Sequence, residues 1–338
     1  MLLQKNFSLK NHNTFGIEAH CALFAEISTV DELKELIHTA SLKATPKLIL
    51  GGGSNVLFTR DFEGLVIKNS IKGITAIKED NEHIWVKAAA GEVWHELVLF
   101  CIRNNYAGIE NLSLIPGLTG AAPMQNIGAY GVELESVFEN LEAVDIHTGE
   151  LITFSKRDCR FGYRESVFKN TYKGRFVIVS VTLRLNKKPH FNISYGSLRE
   201  TLDKMGVQEL TIKAVSDAVI AIRTSKLPDP KHLGNAGSFF KNPEITPALF
   251  ETIKKDFPEV PSFQASGNKV KIPAAWLIEQ CGWKGKRIGN TGSHQHQALV
   301  LVNYGNATGK EIYDLALAIQ QSVREKFGIE IVPEVNII

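Results

Sequence analysis

Residues 47–55 read KLILGGGSN, a short apolar run that stops abruptly at three glycines, and the character of the fold turns on them. Four apolar-rich residues ended by a turn signal read as a buried strand. Glycines at its end let backbone N–H groups approach a phosphate without side-chain obstruction. The run is not a dinucleotide fingerprint: Gly51 and Gly53 fit G-x-G, but Val56 stands where the third glycine belongs, and a further strand follows instead of a helix. Nor is it a P-loop, since no Gly-Lys-Ser/Thr follows. These residues alone leave a tight turn and an anion-binding loop equally open.

Working outward, Thr29 and Glu32 have capping-box spacing before the helical stripe Leu33, Leu36, Ile37, Ala40. Strands are expected at 64–68 and 83–88, and a helix through Val93, Leu97 and Phe100. The stretch 114–131, LIPGLTGAAPMQNIGAYG, carries four glycines and two prolines, so a long constrained loop is expected there. It is a second backbone-rich surface, able to face a dinucleotide's phosphates opposite the first; a long connection held by tight turns is the plainer alternative. Strands are expected again at 141–146 and 176–185, with a turn at 147–149, then a helix near 215–223. The run 227–243, LPDPKHLGNAGSFFKNP, is dense in Pro, Gly and Asn and reads as a domain boundary with function on it. Beyond it, Pro273 can open a helix closed by Gly282, and Thr308 and Glu311 cap another that Gly328 can end. A last strand is expected over 329–338.

The 338 residues are 44% hydrophobic and 22% charged, as in a folded enzyme of two or three domains. A net charge of +2 without long like-charge runs argues against nucleic-acid binding or a polybasic membrane patch. No segment reads as a signal peptide or a membrane span, and Cys21, Cys101, Cys159 and Cys281 show no C-x-x-C pairing. A cytoplasmic, monomeric protein without structural disulfides or zinc is expected.

Several side chains are candidates for chemistry. Ser238, between Gly237 and two phenylalanines, has no G-x-S-x-G elbow around it, which favours a proton donor over a nucleophile; an ordinary loop serine is the commoner case. Arg160 and Arg164 flank a small residue and suit bidentate capture of a carboxylate, although solvated arginines are the default. His294 and His296 are spaced like a metal pair on a strand but lack a carboxylate or cysteine to complete a set. Glu334 follows Pro333, where a surface carboxylate is usual.

Taken in order, NTFGI (13–17), GGGSN (51–55), IPG (115–117), QNIGAYG (125–131), FGYR (161–164), GSFFKN (237–242) and PEV (333–335) resemble the UDP-N-acetylenolpyruvoylglucosamine reductase family. SYGSL (194–198) is similar to the tyrosine-bearing loop of that family's first type. The resemblance implies an α+β, three-domain flavoprotein with an FAD-binding fold of the vanillyl-alcohol-oxidase type and a substrate-binding domain. The implied domains are 1–70 with 328–338, 71–225, and 226–327. It further implies noncovalent FAD, NADPH as reductant, and reduction of UDP-N-acetylglucosamine-enolpyruvate to UDP-N-acetylmuramate for peptidoglycan, nicotinamide and substrate using one cleft in turn. Carried over residue by residue, Arg164, Ser238 and Glu334 are the expected catalytic residues, Glu334 protonated by burial. FAD contacts fall on Gly51, Gly52, Gly53, Ser54, Asn55, Ile115, Pro116, Gly117, Gln125, Asn126, Gly128, Ala129, Tyr130 and Gly131. Substrate contacts fall on Tyr163, Tyr195, Lys231, Asn242 and Gln297. One position departs from the pattern: Asn336 stands where relatives often carry a basic residue, which puts a secondary charge contact in doubt. The rival readings are a flavin oxidase of the same fold and a noncatalytic nucleotide-sugar-binding regulator.

Overall fold

The computed structural model describes residues 2–265 and 267–338, and the chain divides into two compact units. Unit 1 gathers 2–7, 21–52 and 63–225; unit 2 gathers 8–20, 53–62 and 226–338. The GGGSN run therefore straddles a crossing between units, and 328–338 falls in unit 2.

Unit 1 contains a four-stranded sheet in the order Leu3–Ser8, His20–Ile27, Phe62–Asn69, Lys47–Leu50, the last two parallel. The helix Val30–His38 carries the expected capping box, Thr29 Oγ accepting from Glu32 N and the Glu32 carboxylate accepting from Thr29 N. Its Leu33, Leu36 and Ile37 are buried against Ala25, Ile27, Leu65 and Ile67. A five-stranded antiparallel sheet follows, in the order Leu151–Ser155, Phe138–Asp145, Phe176–Asn186, His83–Ala89, Ile74–Glu79. The strand Phe176–Asn186 is buried on both faces, as its nearly continuous apolar sequence requires. Val177 and Val179 point into the core under the first sheet, whereas Ile178, Val181, Leu183 and Leu185 pack with Trp94, Leu97 and Cys101 of the helix Trp94–Arg103. The helices Leu198–Lys204 and Ile212–Lys226 close a smaller core around Val215 and Val219.

Unit 2 holds an antiparallel sheet in the order Gly234–Ser238, Val300–Asn303, Thr291–Ser293, Arg287–Ile288, and a smaller one of Glu244–Ile245, Lys269–Lys271 and Phe263–Ala265. Its core gathers Phe15, Phe239, Phe240, Leu277, Ile312, Ile319 and Val323. The helix Gly309–Phe327 has the expected Thr308–Glu311 capping box and ends at Gly328, φ +66°. The expected terminal strand over 329–338 is mostly absent: only Asn336–Ile337 pairs, parallel to Val56–Leu57, with one bridge between Phe240 and Pro333. Proline lacks the N–H a ladder needs, so apolar character alone misleads there.

The loop 114–131 is irregular as expected, with short 3-10 turns at Thr119–Ala121 and Pro123–Gln125, but it ends in a small unforeseen hairpin, Gly128–Ala129 with Val132–Glu133. Just before it lies Glu110, 3% exposed, its carboxylate accepting from Gly108 N at 2.6 Å. Burial holds this carboxyl above the ordinary glutamate range. The folded chain then binds this proton more tightly than the unfolded chain, so the contribution of Glu110 to stability is full below the ordinary range and declines as pH rises from there through the raised folded value. Glu110→Gln keeps the acceptor and removes the titration. In thermal melts from about pH 4 upward the wild type should lose stability relative to the variant as pH rises; parallel profiles would mean that Glu110 does not titrate in this window.

Candidate active site

In unit 1 the two glycine loops meet. A Cβ on Gly52 would lie 3.2 Å from the Gly117 Cα, and one on Gly51 would reach Leu118 at 3.7 Å. Gly117 has φ +113°, and its carbonyl accepts from Trp94 N at 3.0 Å. The residues just before this turn are held by the neighbouring helix: Trp94 Nε1 donates to Leu112 O at 2.9 Å, and Leu114 N donates to His95 Nδ1 at 3.0 Å. Burial keeps the His95 imidazole below its ordinary range, consistent with a neutral ring that accepts there. Ile115 packs on the adjoining core.

Arg164 belongs to the second glycine-rich stretch in space, though not in sequence. Its Nη2 donates to Gly128 O at 2.6 Å and its Nη1 to Asn126 O at 3.4 Å, with Glu133 3.8 Å away. A Cβ on Gly128 would sit 2.9 Å from Arg164 Nη1, so glycine is what lets the guanidinium lie across this backbone. Asn126, fully buried and left-handed at φ +44°, donates to Glu133 Oε2 and Gly162 O and accepts from Glu135 N. Lys169 Nζ donates to Gln125 Oε1 at 3.4 Å. Arg164 itself has φ +56°, and its guanidinium lies 5.3 Å from the Tyr163 ring. Left-handed non-glycine residues persist only where surroundings over-determine them, and they concentrate at functional sites. Arg160, the other candidate arginine, is exposed.

Ser238 and Glu334 are neighbours in unit 2. Ser238 is exposed and ends the strand Gly234–Ser238, where a register shift after Asn235 and the left-handed Gly237, φ +70°, re-aim the chain. Asn235 fixes this bulge: its Oδ1 accepts from Gly237 N at 2.9 Å, and its Nδ2 donates to Pro228 O and Leu233 O. The next residue, Phe239, is fully buried, and its carbonyl accepts from Glu334 N at 2.8 Å. Asn55 Nδ2 donates to Glu334 O at 3.4 Å, which ties the tail of the GGGSN run to the segment carrying the glutamate. Asn336 gives both its backbone N–H and its side-chain amide to Asn55 O, at 3.1 and 2.9 Å. Where a basic residue was anticipated, a neutral donor thus serves the backbone. Glu334 is only half-buried.

The expected substrate contacts are divided between the two units. Tyr163 is half-buried and Tyr195 is 46% exposed, both in unit 1. In unit 2, Lys231 is exposed at a turn, its N–H donating to Asp229 Oδ1. Asn242 Oδ1 accepts from Ala274 N, capping the helix Ala274–Gln280, and Gln297 Oε1 accepts weakly from Leu299 N at 3.5 Å. His294 and His296 stack edge-on at 5.5 Å, but no group of three metal-ligating side chains occurs among the described residues.

Among the described residues, two buried side-chain atoms lack a hydrogen-bond partner, both in unit 1: Thr119 Oγ1, two residues past Gly117, and Arg223 Nε. Arg223 lies close enough to the Tyr130 phenol for the two to interact electrostatically. Buried polar atoms are rarely left unsatisfied, so orphans beside a cradle without side chains suit a polar ligand. A dinucleotide cofactor fits these residues: small glycines at close approach, exposed peptide groups, and a buried cation. Sequence reading missed Trp94, His95 and Arg223, because each looks like an ordinary member of an amphipathic helix; no motif distinguishes them.

Fold and site together define a class, the FAD-binding oxidoreductases, and residues 21–155 match the family model described as FAD binding domain. Residues 229–338 match the C-terminal domain model of UDP-N-acetylenolpyruvoylglucosamine reductase. The proteins of that name from Amoebophilus asiaticus and Flavobacterium johnsoniae are 54% and 53% identical, in each case over 100% of both chains. The chain belongs to the UDP-N-acetylenolpyruvoylglucosamine reductase family. The crystal structure of that reductase from Thermus caldophilus is similar in fold, with a TM-score of 0.66 at 22% identity over 99% of this chain and 98% of that one. The α+β flavoprotein class expected from the sequence is thereby established. No helix among the described residues is long and apolar enough to cross a membrane.

Proposed function

We propose that this protein reduces UDP-N-acetylglucosamine-enolpyruvate to UDP-N-acetylmuramate in peptidoglycan precursor synthesis, with FAD as bound cofactor and NADPH as reductant. The observation that carries this reading is the seat of Arg164 on the Asn126 and Gly128 carbonyls, which fixes a cation within the loop assigned to the cofactor. FAD, when bound, supplies the reversible two-electron store that no side chain has.

The chain's own residues handle charge and protons. Once hydride has reached the terminal vinyl carbon, negative charge spreads from the carbon bearing the ether oxygen into the carboxylate. Arg164, and Glu334 as a proton-bearing acid once bound substrate covers its half-buried carboxyl, stabilise that enolate-like charge; preorganised donors of this kind are worth ~3 kcal/mol each. The Ser238 hydroxyl gives its proton to the ether-bearing carbon and regains one from solvent. Proton delivery from one side of the carbon sets the stereochemistry of the lactyl ether.

Cofactor contacts are assigned to Gly51 through Asn55, Ile115 through Gly117, Gln125, Asn126 and Gly128 through Gly131. Tyr163, Tyr195, Lys231, Asn242 and Gln297 are assigned to the nucleotide sugar. A cytoplasmic monomer fits this reading, because UDP-sugars and reduced nicotinamides are cytoplasmic metabolites and one chain supplies every proposed residue. Lys231→Ala should raise the substrate KM several-fold with little change in kcat if its contact is the same in ground and transition states; a fall in kcat at saturating substrate would place Lys231 in the chemistry instead.

The reading as a whole is tested by anaerobic visible spectra. Bound flavin should bleach with NADPH and recover with the enolpyruvyl substrate. Flavin that bleaches and recovers only with oxygen would point to an oxidase, and protein that takes up no FAD would end the proposal.

A further inference from the structure

We infer that Asn192 is a positioning residue for Tyr195: with Asn111 it clasps the segment carrying that tyrosine onto the Tyr130-Gly131 end of the cofactor loop. The inference rests on the proposed reading of Tyr195 as a substrate contact. All of the residues involved lie in unit 1.

Residues 190–194 lie outside any helix or strand, so no ladder fixes their register. Two apolar side chains, Phe191 and Ile193, peg the segment to the small core around Leu198, Leu202, Val215 and Val219, against which Tyr130 also packs. Asn192, between them, bonds instead to the end of the cofactor loop. Its Nδ2 donates to Gly131 O at 2.9 Å, and Ser194 Oγ donates to its Oδ1 at 3.4 Å. Asn111, 1% exposed, uses both hydrogens of its amide: one goes to Tyr130 O at 2.9 Å and the other to Asn192 O at 2.7 Å. Two asparagines thus join the two segments through three hydrogen bonds to main-chain oxygens.

The other side of the clasp is shaped to receive it. Tyr130 and Gly131 are consecutive left-handed residues, φ +49° and +80°. A Cβ on Gly131 would lie 3.0 Å from Asn192 Nδ2 and 3.2 Å from the Tyr195 Cβ. Glycine at 131 therefore lets Asn192 and the Tyr195 Cβ approach together, and the exposed Tyr195 side chain extends from there. Ordering a loop residue on binding costs conformational entropy. A segment already held in place spares the ligand that cost, which appears as affinity rather than as rate.

Asn192→Ala removes the donor to Gly131 without emptying a core. A single neutral hydrogen bond is worth about 1 kcal/mol, so the KM for the enolpyruvyl substrate should rise roughly fivefold with kcat, FAD content and melting temperature essentially unchanged. Tyr195→Ala should raise the same KM, and the double variant should raise it no further than Tyr195→Ala alone, since coupled residues are non-additive. Amide hydrogen exchange over residues 192–197 of the FAD-loaded protein, without substrate, should be faster in Asn192→Ala than in the wild type. Unchanged exchange overturns the clasp whatever the kinetics. Additive effects on KM, or a fall in kcat with KM unchanged, overturn Asn192 as acting through Tyr195. Faster exchange with a wild-type KM in Tyr195→Ala would leave the clasp standing and remove the substrate reading of Tyr195, and with it the positioning role.

Discussion

Replacing Ser238 with alanine is expected to leave reduction of the bound flavin by NADPH intact and to slow its reoxidation by the enolpyruvyl substrate by ~10²–10⁴-fold, the range for a positioned proton donor. The two half-reactions separate because only the second needs a proton on carbon. Ser238 is set by its backbone rather than by side-chain packing: the bulge after Asn235, the left-handed Gly237 and the buried Phe239 fix where its Cβ points. Alanine fits that backbone unchanged, so the loss should be chemical and not structural. Anaerobic stopped-flow traces at the flavin band read the two steps apart. Equal slowing of both would remove the proton-donor role and make Ser238 a binding residue.

Gly53→Ala should be the most damaging single methyl in the proposed cofactor cradle. Gly53 sits at φ +64°, and a Cβ there would come within 2.0 Å of the His12 carbonyl oxygen and 2.8 Å of the Asn13 Cα, all in unit 2. Both obstacles are main chain, and this turn is further fixed by Thr14 N donating to Gly53 O at 3.0 Å and by the buried Asn13, whose amide binds Leu9 O and Ile17 O. The loop must therefore distort. The expected result is protein purified largely without FAD, with an FAD dissociation constant raised by at least about a hundredfold, the equivalent of ~3 kcal/mol. Gly16→Ala is the control: φ is +66°, but nothing lies within 4 Å of the added methyl, so only the left-handed penalty of roughly 1–2 kcal/mol applies. Equal loss of FAD in both variants would mean that backbone strain, not the close approach to residue 12, governs the cradle.

Much of the local structure was legible before any coordinates. The Thr29–Glu32 and Thr308–Glu311 boxes cap their helices as read, because the donors and acceptors involved are three residues apart and need nothing from the rest of the chain. The strands Phe176–Asn186 and His83–Ala89 stand where period-two and continuous apolar runs put them. Reading failed where apolar content and hydrogen-bonding capacity part company, as at 329–338 around Pro333, and where short pairings such as Gly128–Ala129 with Val132–Glu133 carry too few residues to show a period.

The sequence by itself determined the family, since seven ordered motifs spanning nearly the whole chain identify it, and the capped helices and buried strands that make up the two units. Only the tertiary structure decided which of those motifs meet: Gly52 against Gly117, Arg164 across the carbonyls of Asn126 and Gly128, Glu334 bonded to the residue after Ser238, and Asn336 serving Asn55 in place of a cation. Periodicity records which face of an element is buried. These contacts are instead single hydrogen bonds, or for Gly52 and Gly117 one close backbone approach, between segments far apart in the chain, made in irregular loops, and such contacts leave no repeating trace in the order of residues.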